Sequence, residues 1–124
     1  MKQPLALVFY KKLLPGSQLV NRLQDMNYRV QTVTNAESLT ACAEQEKPLV
    51  VFADLTSVHA HVCPAIAALR QNSTTRHIPI IAFAAGNTAD LQASALTAGA
   101  TLVVGETAIL DHLPQVLEQA LHVD

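Results

Sequence analysis

The residue best placed for chemistry in this sequence is Asp54, which directly follows five consecutive apolar residues, Leu49 to Ala53. A short, uninterrupted apolar run predicts a strand that is buried on both faces, at the centre of a parallel sheet. The carboxyl ends of such strands form the edge where α/β proteins place their binding and catalytic groups. The sequence therefore predicts one carboxylate at this edge, and its chemistry depends on the residues beside it.

A second group of reactive side chains, His59, His61 and Cys63, follows in the predicted loop after this strand. Histidine and cysteine are zinc ligands, so a metal cluster is one interpretation. The spacing matches no closed structural zinc site, however, and a fourth ligand is not evident. No motif activates Cys63 as a nucleophile. We therefore predict a polar loop with a half-buried cysteine, and neither a metal site nor a catalytic residue.

The rest of the chain repeats a strand followed by a helix five times. Proline in the first turn marks three helix starts, at Pro15, Pro64 and Pro114, and a capping-box pattern at Thr34 marks a fourth. Alternation with short loops predicts an α/β fold, with a parallel sheet and helices on both faces. The five strands are expected at Leu5–Tyr10, Arg29–Val33, Leu49–Ala53, Ile78–Ala85 and Thr101–Val104, with a loop from Gly105 to His112.

Composition limits the class of protein. The chain has 124 residues, 50% of them hydrophobic and 15% charged, with a formal net charge of -2. This length and apolar content predict a single domain over residues 1–124. Clustered positive charge and a long apolar span are both missing from the sequence, which argues against binding to nucleic acid or a membrane. Cys42 and Cys63 lie in no disulfide framework, so we expect free thiols and a soluble, cytoplasmic protein.

Several segments together resemble the receiver domain of response regulators. The matching segments follow the chain in order: Asn27–Tyr28, Lys47–Pro48, Asp54–Leu55, His77–Ala82 and Ala98–Ala100. Each segment is a weak motif by itself, but their order and spacing form a specific pattern. The resemblance implies a flavodoxin-like, receiver-like sheet with strand order 2-1-3-4-5. It also implies that Asp54 is equivalent to the family's phosphoacceptor.

The remaining signature positions depart from the family. In the family that this sequence resembles, two acidic residues at the end of strand one bind Mg²⁺ together with the phosphoacceptor. A hydroxyl residue ends strand four, and a lysine ends strand five. The corresponding residues here are Tyr10, Lys11, Ala84 and Glu106, and only Asp54 is retained. The resemblance therefore implies a pseudo-receiver, a non-enzymatic signalling module without cofactor or metal that acts by protein–protein interaction. The alternative is an atypical receiver that a partner histidine kinase phosphorylates on Asp54; a small enzyme on this fold would lack an acid–base pair.

The charges around Asp54 are exchanged relative to the family pattern. Lys11 stands where an acid is expected, and Glu106 stands where a lysine is expected. We predict that Lys11, or its neighbour Lys12, forms an ion pair with Asp54, because an unpaired buried carboxylate is costly. Lys11 could also pair with Glu106, and the pocket would then resemble a permanently neutralised site.

The predicted fourth helix, Ala89 to Ala98, is the candidate interaction surface. Leu91, Ala95 and Ala98 form its core-facing stripe, while Ala89, Ala93 and Leu96 are apolar on the other side. A helix that is apolar on two sides is either buried or has a partner. The resemblance implies that the fourth helix, fifth strand and fifth helix form the partner or homodimer face. The alternative is that these alanines only reflect helix propensity.

Overall fold

The computed structural model describes residues 5–9, 13–33, 36–54, 62–84 and 89–121. Strands and helices alternate along the chain, and two helices follow the last strand. The strands are β1 (Leu5–Phe9), β2 (Arg29–Val33), β3 (Val50–Asp54), β4 (Ile80–Ala84) and β5 (Leu102–Gly105). The helices are α1 (Leu13–Asp25), α2 (Ala36–Glu46), α3 (Val62–Gln71), α4 (Ala89–Ala98), α5 (Glu106–Asp111) and α6 (Leu113–Leu121).

All five strands form one parallel sheet in the order β2-β1-β3-β4-β5. This confirms the predicted fold class and strand order. β3 is the central strand, and Val50, Val51, Phe52 and Ala53 are completely buried. β2 is an edge strand, as its mixture of polar and apolar residues predicted, and four of its five residues are partly buried or exposed.

Two apolar clusters cover the two faces of the sheet. Because successive side chains in a strand point to opposite faces, Leu7 and Phe9 belong to one cluster, whereas Ala6 and Val8 belong to the other. The first cluster receives side chains from α2, α3 and α4, and the second receives side chains from α1, α5 and α6. The sheet is therefore a rigid, apolar platform between two helical layers.

A residue with positive φ ends each of three helices, where the chain turns toward the next strand. Gly99 has a φ of 125° after α4, and its N–H donates to the carbonyl of Leu96 at 3.1 Å. The N–H of Ala100 donates to the carbonyl of Ala95 at 3.0 Å, which completes a Schellman motif. Asn27 (φ 68°) ends α1 in the same way, and Lys47 (φ 51°) ends α2. The predicted role of Gly99 after α4 is confirmed.

Several details of the prediction were wrong. β4 begins at Ile80 and not at Ile78, and β5 spans Leu102–Gly105 and not Thr101–Val104. Leu49 lies outside β3 and is 43% exposed, and its N–H donates to the carbonyl of Leu5 at 2.8 Å, at the amino end of the sheet. Residues 106–111 form α5 and not a loop. Ile109 is completely buried and lies four residues before buried Leu113, so the apolar stripe of α6 begins one turn earlier than Pro114 suggested. The predicted cap at Thr34 lies outside the described residues.

Candidate functional site

The carboxyl edge of the sheet brings together the backbone of three signature positions. β3 ends at Asp54, whose Cα partner is Phe83 on β4. β4 ends one residue later at Ala84, whose Cα partner is Gly105 on β5. Glu106 follows Gly105 directly and begins α5. Asp54 and Ala84 therefore end two adjacent strands, and Glu106 directly follows the end of a third strand on the same edge.

The strands beneath this edge hold it rigidly. Phe52 and Ala53 in β3 and Phe83 in β4 are completely buried between the two helical layers. β1 lies on the other side of β3, and its last residue, Phe9, has Ala53 as its Cα partner. A site at the end of β3 is thus built on regular strands, which fix backbone positions better than loops do.

Several predicted site residues lie outside the described residues. These are Tyr10, Lys11 and Lys12, which follow β1, and His59 and His61, which follow β3. The ion pair between a lysine and Asp54 therefore stays a prediction. Cys63 was expected in a loop but is the second residue of α3. Among the residues that the structure describes, no group of three histidine, cysteine or acidic residues could hold a metal ion.

The chemistry available at this edge follows from the residue types. Asp54 supplies a carboxylate, whereas alanine at the end of β4 supplies only a methyl group and Gly105 supplies no side chain. Glu106 adds a second carboxylate beyond β5. By residue type, these positions therefore include two carboxylates and no hydroxyl or ammonium group. Residue types that stabilise developing negative charge are not among them.

The candidate interaction surface on α4 has the expected division into two sides, as far as its side chains are described. Ala95 is completely buried, and Ala98 packs against the first core cluster. Ala93 is exposed, and Leu96 is 53% exposed. The side chains of Ala89, at the start of the helix, and of Leu91, which was predicted to face the core, lie outside the described part of the structure. Leu96 is one of two large apolar side chains that are exposed in the described ranges; the other is Leu49.

A polar cluster around Arg70, at the opposite edge of the sheet, was not predicted from the sequence. The Arg70 guanidinium donates from Nε to the carbonyl of Gly99 at 2.6 Å and from Nη2 to Thr101 Oγ1 at 2.7 Å. Nη1 donates to the carbonyls of Arg76 at 2.5 Å and Ile78 at 2.9 Å. Burial lowers the pKa of Arg70 from its ordinary value, but arginine remains charged at neutral pH. The sequence feature that could have indicated this cluster is the position of Arg70 in the last turn of α3, because a basic side chain near a helix end can donate to backbone carbonyls.

The topology, with five parallel strands in the order 2-1-3-4-5 and helices on both sides, is that of the response-regulator receiver fold. No protein-family model matches the sequence, and no curated protein sequence matches it. None of the helices in the described ranges is long and apolar enough to span a membrane. Solved structures therefore provide the comparison.

Three of these structures show the extent of the similarity. A protein classed as a response regulator in Chloroflexus aurantiacus matches with a TM-score of 0.89 and 16% identity, over 98% of this chain and 100% of its own. The receiver domain of a sensor histidine kinase from Pseudomonas aeruginosa was determined with magnesium coordinated in its active-site cleft. It matches with a TM-score of 0.86 and 18% identity, over 98% of this chain and 99% of its own. The chemotaxis response regulator CheY4 of Vibrio cholerae matches with a TM-score of 0.77 and 19% identity, over 92% of this chain and 98% of its own. The chain has the receiver fold.

Proposed function

We propose that this chain is a receiver-like signalling module that has lost the phosphorylation switch and acts by protein–protein contact. The observation that carries the proposal is the set of residues at the carboxyl ends of the strands. Asp54 is present where the family has its phosphoacceptor, but Ala84 and Glu106 stand where the family has a hydroxyl and a lysine. The proposal assigns the chain no enzymatic activity.

Magnesium does not fit the donor set of this edge. Mg²⁺ prefers six oxygen ligands and binds proteins through carboxylates. The Pseudomonas receiver domain holds its magnesium in the active-site cleft. In this chain the two metal-binding acids of the family pattern are replaced by Tyr10 and Lys11, and an ammonium group repels a cation. Asp54 alone supplies too few oxygens to hold Mg²⁺, so the proposed function does not involve a bound metal.

Transfer of a phosphoryl group to Asp54 would also lack its usual assistance. This reaction depends on positioning and on neutralising the charge of the phosphoryl oxygens. Ala84 has no hydrogen-bond donor to offer, and Glu106 would repel an anion. In the proposed pocket, Lys11 or Lys12 neutralises Asp54 permanently, so the conformation of the domain is uncoupled from phosphate.

One observation favours a second candidate function. Asp54 is retained at the end of β3, although the other signature residues are replaced. A carboxylate is the group that a partner histidine kinase would phosphorylate in an atypical receiver. Such a kinase would have to bring its own charge-stabilising groups to this edge, which distinguishes the second function from autonomous phosphorylation by a small donor.

Phosphorylation can be tested directly on the purified chain. We expect no phosphate adduct in intact-mass spectra after incubation with acetyl phosphate and millimolar Mg²⁺. The control is Asp54→Asn, which removes the acceptor and nearly preserves its shape. An adduct that appears on the wild-type chain and disappears in Asp54→Asn would refute the loss of the switch and favour the atypical receiver.

The proposed working surface is the face formed by α4, β5 and the last helix, α6, which is the helix predicted from the sequence as the fifth. Its occupant is a protein partner or a second copy of the chain. Leu96 is 53% exposed there, and Leu102, Val103 and Val104 of β5 are only partly buried. Exposed apolar side chains gain most from a partner that removes them from water. The alternative for Ala89 and Ala93 is that they serve helix propensity alone.

A matched pair of substitutions tests this surface. Leu96→Glu should leave the fold intact and shift a dimer toward monomer in sedimentation, or abolish the binding of an identified partner. Leu49→Glu is the control, because Leu49 is the other exposed large apolar residue of the described ranges and lies at the amino edge of the sheet. If Leu96→Glu unfolds the domain, or if both variants associate as the wild type does, the surface is assigned wrongly.

A further inference from the structure

Arg70 links four separate parts of the chain through one side chain. It belongs to the last turn of α3, and its hydrogen bonds reach the end of α4 at Gly99, the turn before β4 at Arg76 and Ile78, and the start of β5 at Thr101. All four acceptors are neutral oxygens. Hydrogen bonds from a charged donor are roughly twice as strong as neutral ones, so this cluster makes a substantial connection.

Thr101 extends the connection into the sheet. Its Oγ1 accepts from Arg70 at 2.7 Å and also from the N–H of Ile80 at 3.1 Å. Its own N–H donates to the carbonyl of Ile80 at 2.7 Å. The start of β5 is therefore attached both to β4 and, through Arg70, to α3.

The end of α4 is built around the Arg70 side chain. A Cβ atom on Gly99 would lie well inside 3.0 Å of Arg70 Cγ, so the aliphatic stem of Arg70 fills the space that a larger residue would need. The guanidinium also lies near the negative end of the α4 dipole, where a cation is favourable. By contrast, Ala95 is the single completely buried side chain among those described in α4, and an alanine buries little apolar area.

We propose that Arg70 is a conformational clamp that holds α4 and the start of β5 against α3, and that loss of the clamp releases this segment while the rest of the sheet stays folded. The segment, residues 95–101, is attached by few large apolar side chains in the described structure, so polar contacts decide its local stability. The link from the clamp to partner binding rests on the function proposed above, because Leu96 lies in this segment. The clamp itself does not depend on that function.

Amide hydrogen exchange measured by NMR tests the clamp. The Arg70→Met variant keeps most of the aliphatic stem and removes every donor. We expect the amides of Gly99, Ala100 and Thr101 to exchange about tenfold faster or more, since loss of one charge-assisted hydrogen bond is sufficient for that change. The amides of β1 should keep their wild-type protection. Arg76→Met is the matched control, because it makes the same substitution at an exposed arginine and leaves the Arg76 carbonyl in place.

The outcomes separate the clamp from a general loss of stability. The clamp is refuted if Arg70→Met and Arg76→Met exchange alike in residues 95–101, or if β1 accelerates as much as this segment does. If Arg70→Met fails to fold, Thr101→Val decides, because it removes the hydroxyl that joins Arg70 to Ile80. A smaller acceleration confined to residues 95–101 supports the clamp, and no acceleration there overturns it. Faster local exchange with unchanged association of the chain would refute only the link between the clamp and partner binding.

Discussion

Replacing Gly99 by alanine perturbs both the backbone and the Arg70 cluster. Gly99 has a φ of 125°, which L side chains rarely adopt. An added Cβ would also meet Arg70 Cγ, so the arginine must move away from its acceptors. The carbonyl of Gly99 is itself one of these acceptors, at 2.6 Å from Arg70 Nε. Two independent costs therefore fall on a single methyl group.

The expected loss of stability can be worked out from these two costs. A non-glycine residue in such a sparsely populated conformation costs about 1–3 kcal/mol. Loss of one hydrogen bond from the charged guanidinium adds about 1.5–3 kcal/mol. Alanine restricts the unfolded chain and thereby returns about 0.4–1 kcal/mol. The net destabilisation is about 3 kcal/mol, a large fraction of the total stability of about 5–15 kcal/mol that a small domain has.

The assay is urea denaturation of the wild type, Gly99→Ala and a matched control, Gly105→Ala. Gly105 has an ordinary φ of -74°, and no heavy atom lies within 4 Å of a Cβ placed there. Alanine at this N-cap position costs up to about 1 kcal/mol, which the stiffer unfolded chain offsets in part. We therefore expect Gly105→Ala to stay within about 1 kcal/mol of the wild type.

The difference in unfolding free energy between the two alanine variants tests both proposed costs. If Gly99→Ala costs no more than Gly105→Ala, then neither the backbone conformation nor the Arg70 contact matters as argued. A normal denaturation slope in both variants is required for the comparison, because a changed slope would indicate a changed unfolded state.

Two further predictions concern residues outside the Arg70 cluster. Lys47→Gly should stabilise the chain by about 0.5–1 kcal/mol, measured by urea denaturation. Lysine at a φ of 51° carries a conformational cost that glycine removes, and the greater entropy of the unfolded glycine chain offsets part of this gain. Tyr28 is partly buried, and desolvation raises its pKa above the ordinary value of 10.0. Above pH 10 the unfolded chain releases this proton first, so stability falls as pH rises, and Tyr28→Phe should remove that part of the decline. Equal alkaline slopes in thermal melts of wild type and Tyr28→Phe would contradict this.

The fold was readable from the sequence because apolar runs and helix signals agree at each step. The bounds of α4 match the predicted range, Ala89 to Ala98, and the uninterrupted run through Phe52 correctly predicted the central strand. α5 was missed because Gly105 and Pro114 both suggest breaks, whereas burial of Ile109 favours helix between them. Tertiary packing therefore overrides local signals there.

The polar contacts were harder to predict than the fold. Three acceptors of Arg70 are backbone carbonyls, those of Gly99, Arg76 and Ile78, and residue types do not specify where such groups converge. Asp54 could be assigned to the carboxyl edge because the end of a buried strand is a sequence feature. Its pairing with Lys11 or Lys12 depends on side-chain placement, which a strand pattern does not determine.

The measurement that tests the central claim most directly is intact-mass analysis of two chains side by side, in acetyl phosphate and Mg²⁺. One is the wild type, and the other restores the family pattern with Tyr10→Asp, Lys11→Asp, Ala84→Thr and Glu106→Lys. The restored chain should gain a phosphate adduct that Asp54→Asn abolishes, because it regains metal ligands and donors for the phosphoryl group. The wild type should remain unmodified under the same conditions. An adduct on Asp54 of the wild type, at a level similar to that of the restored chain, would contradict the loss of the phosphorylation switch.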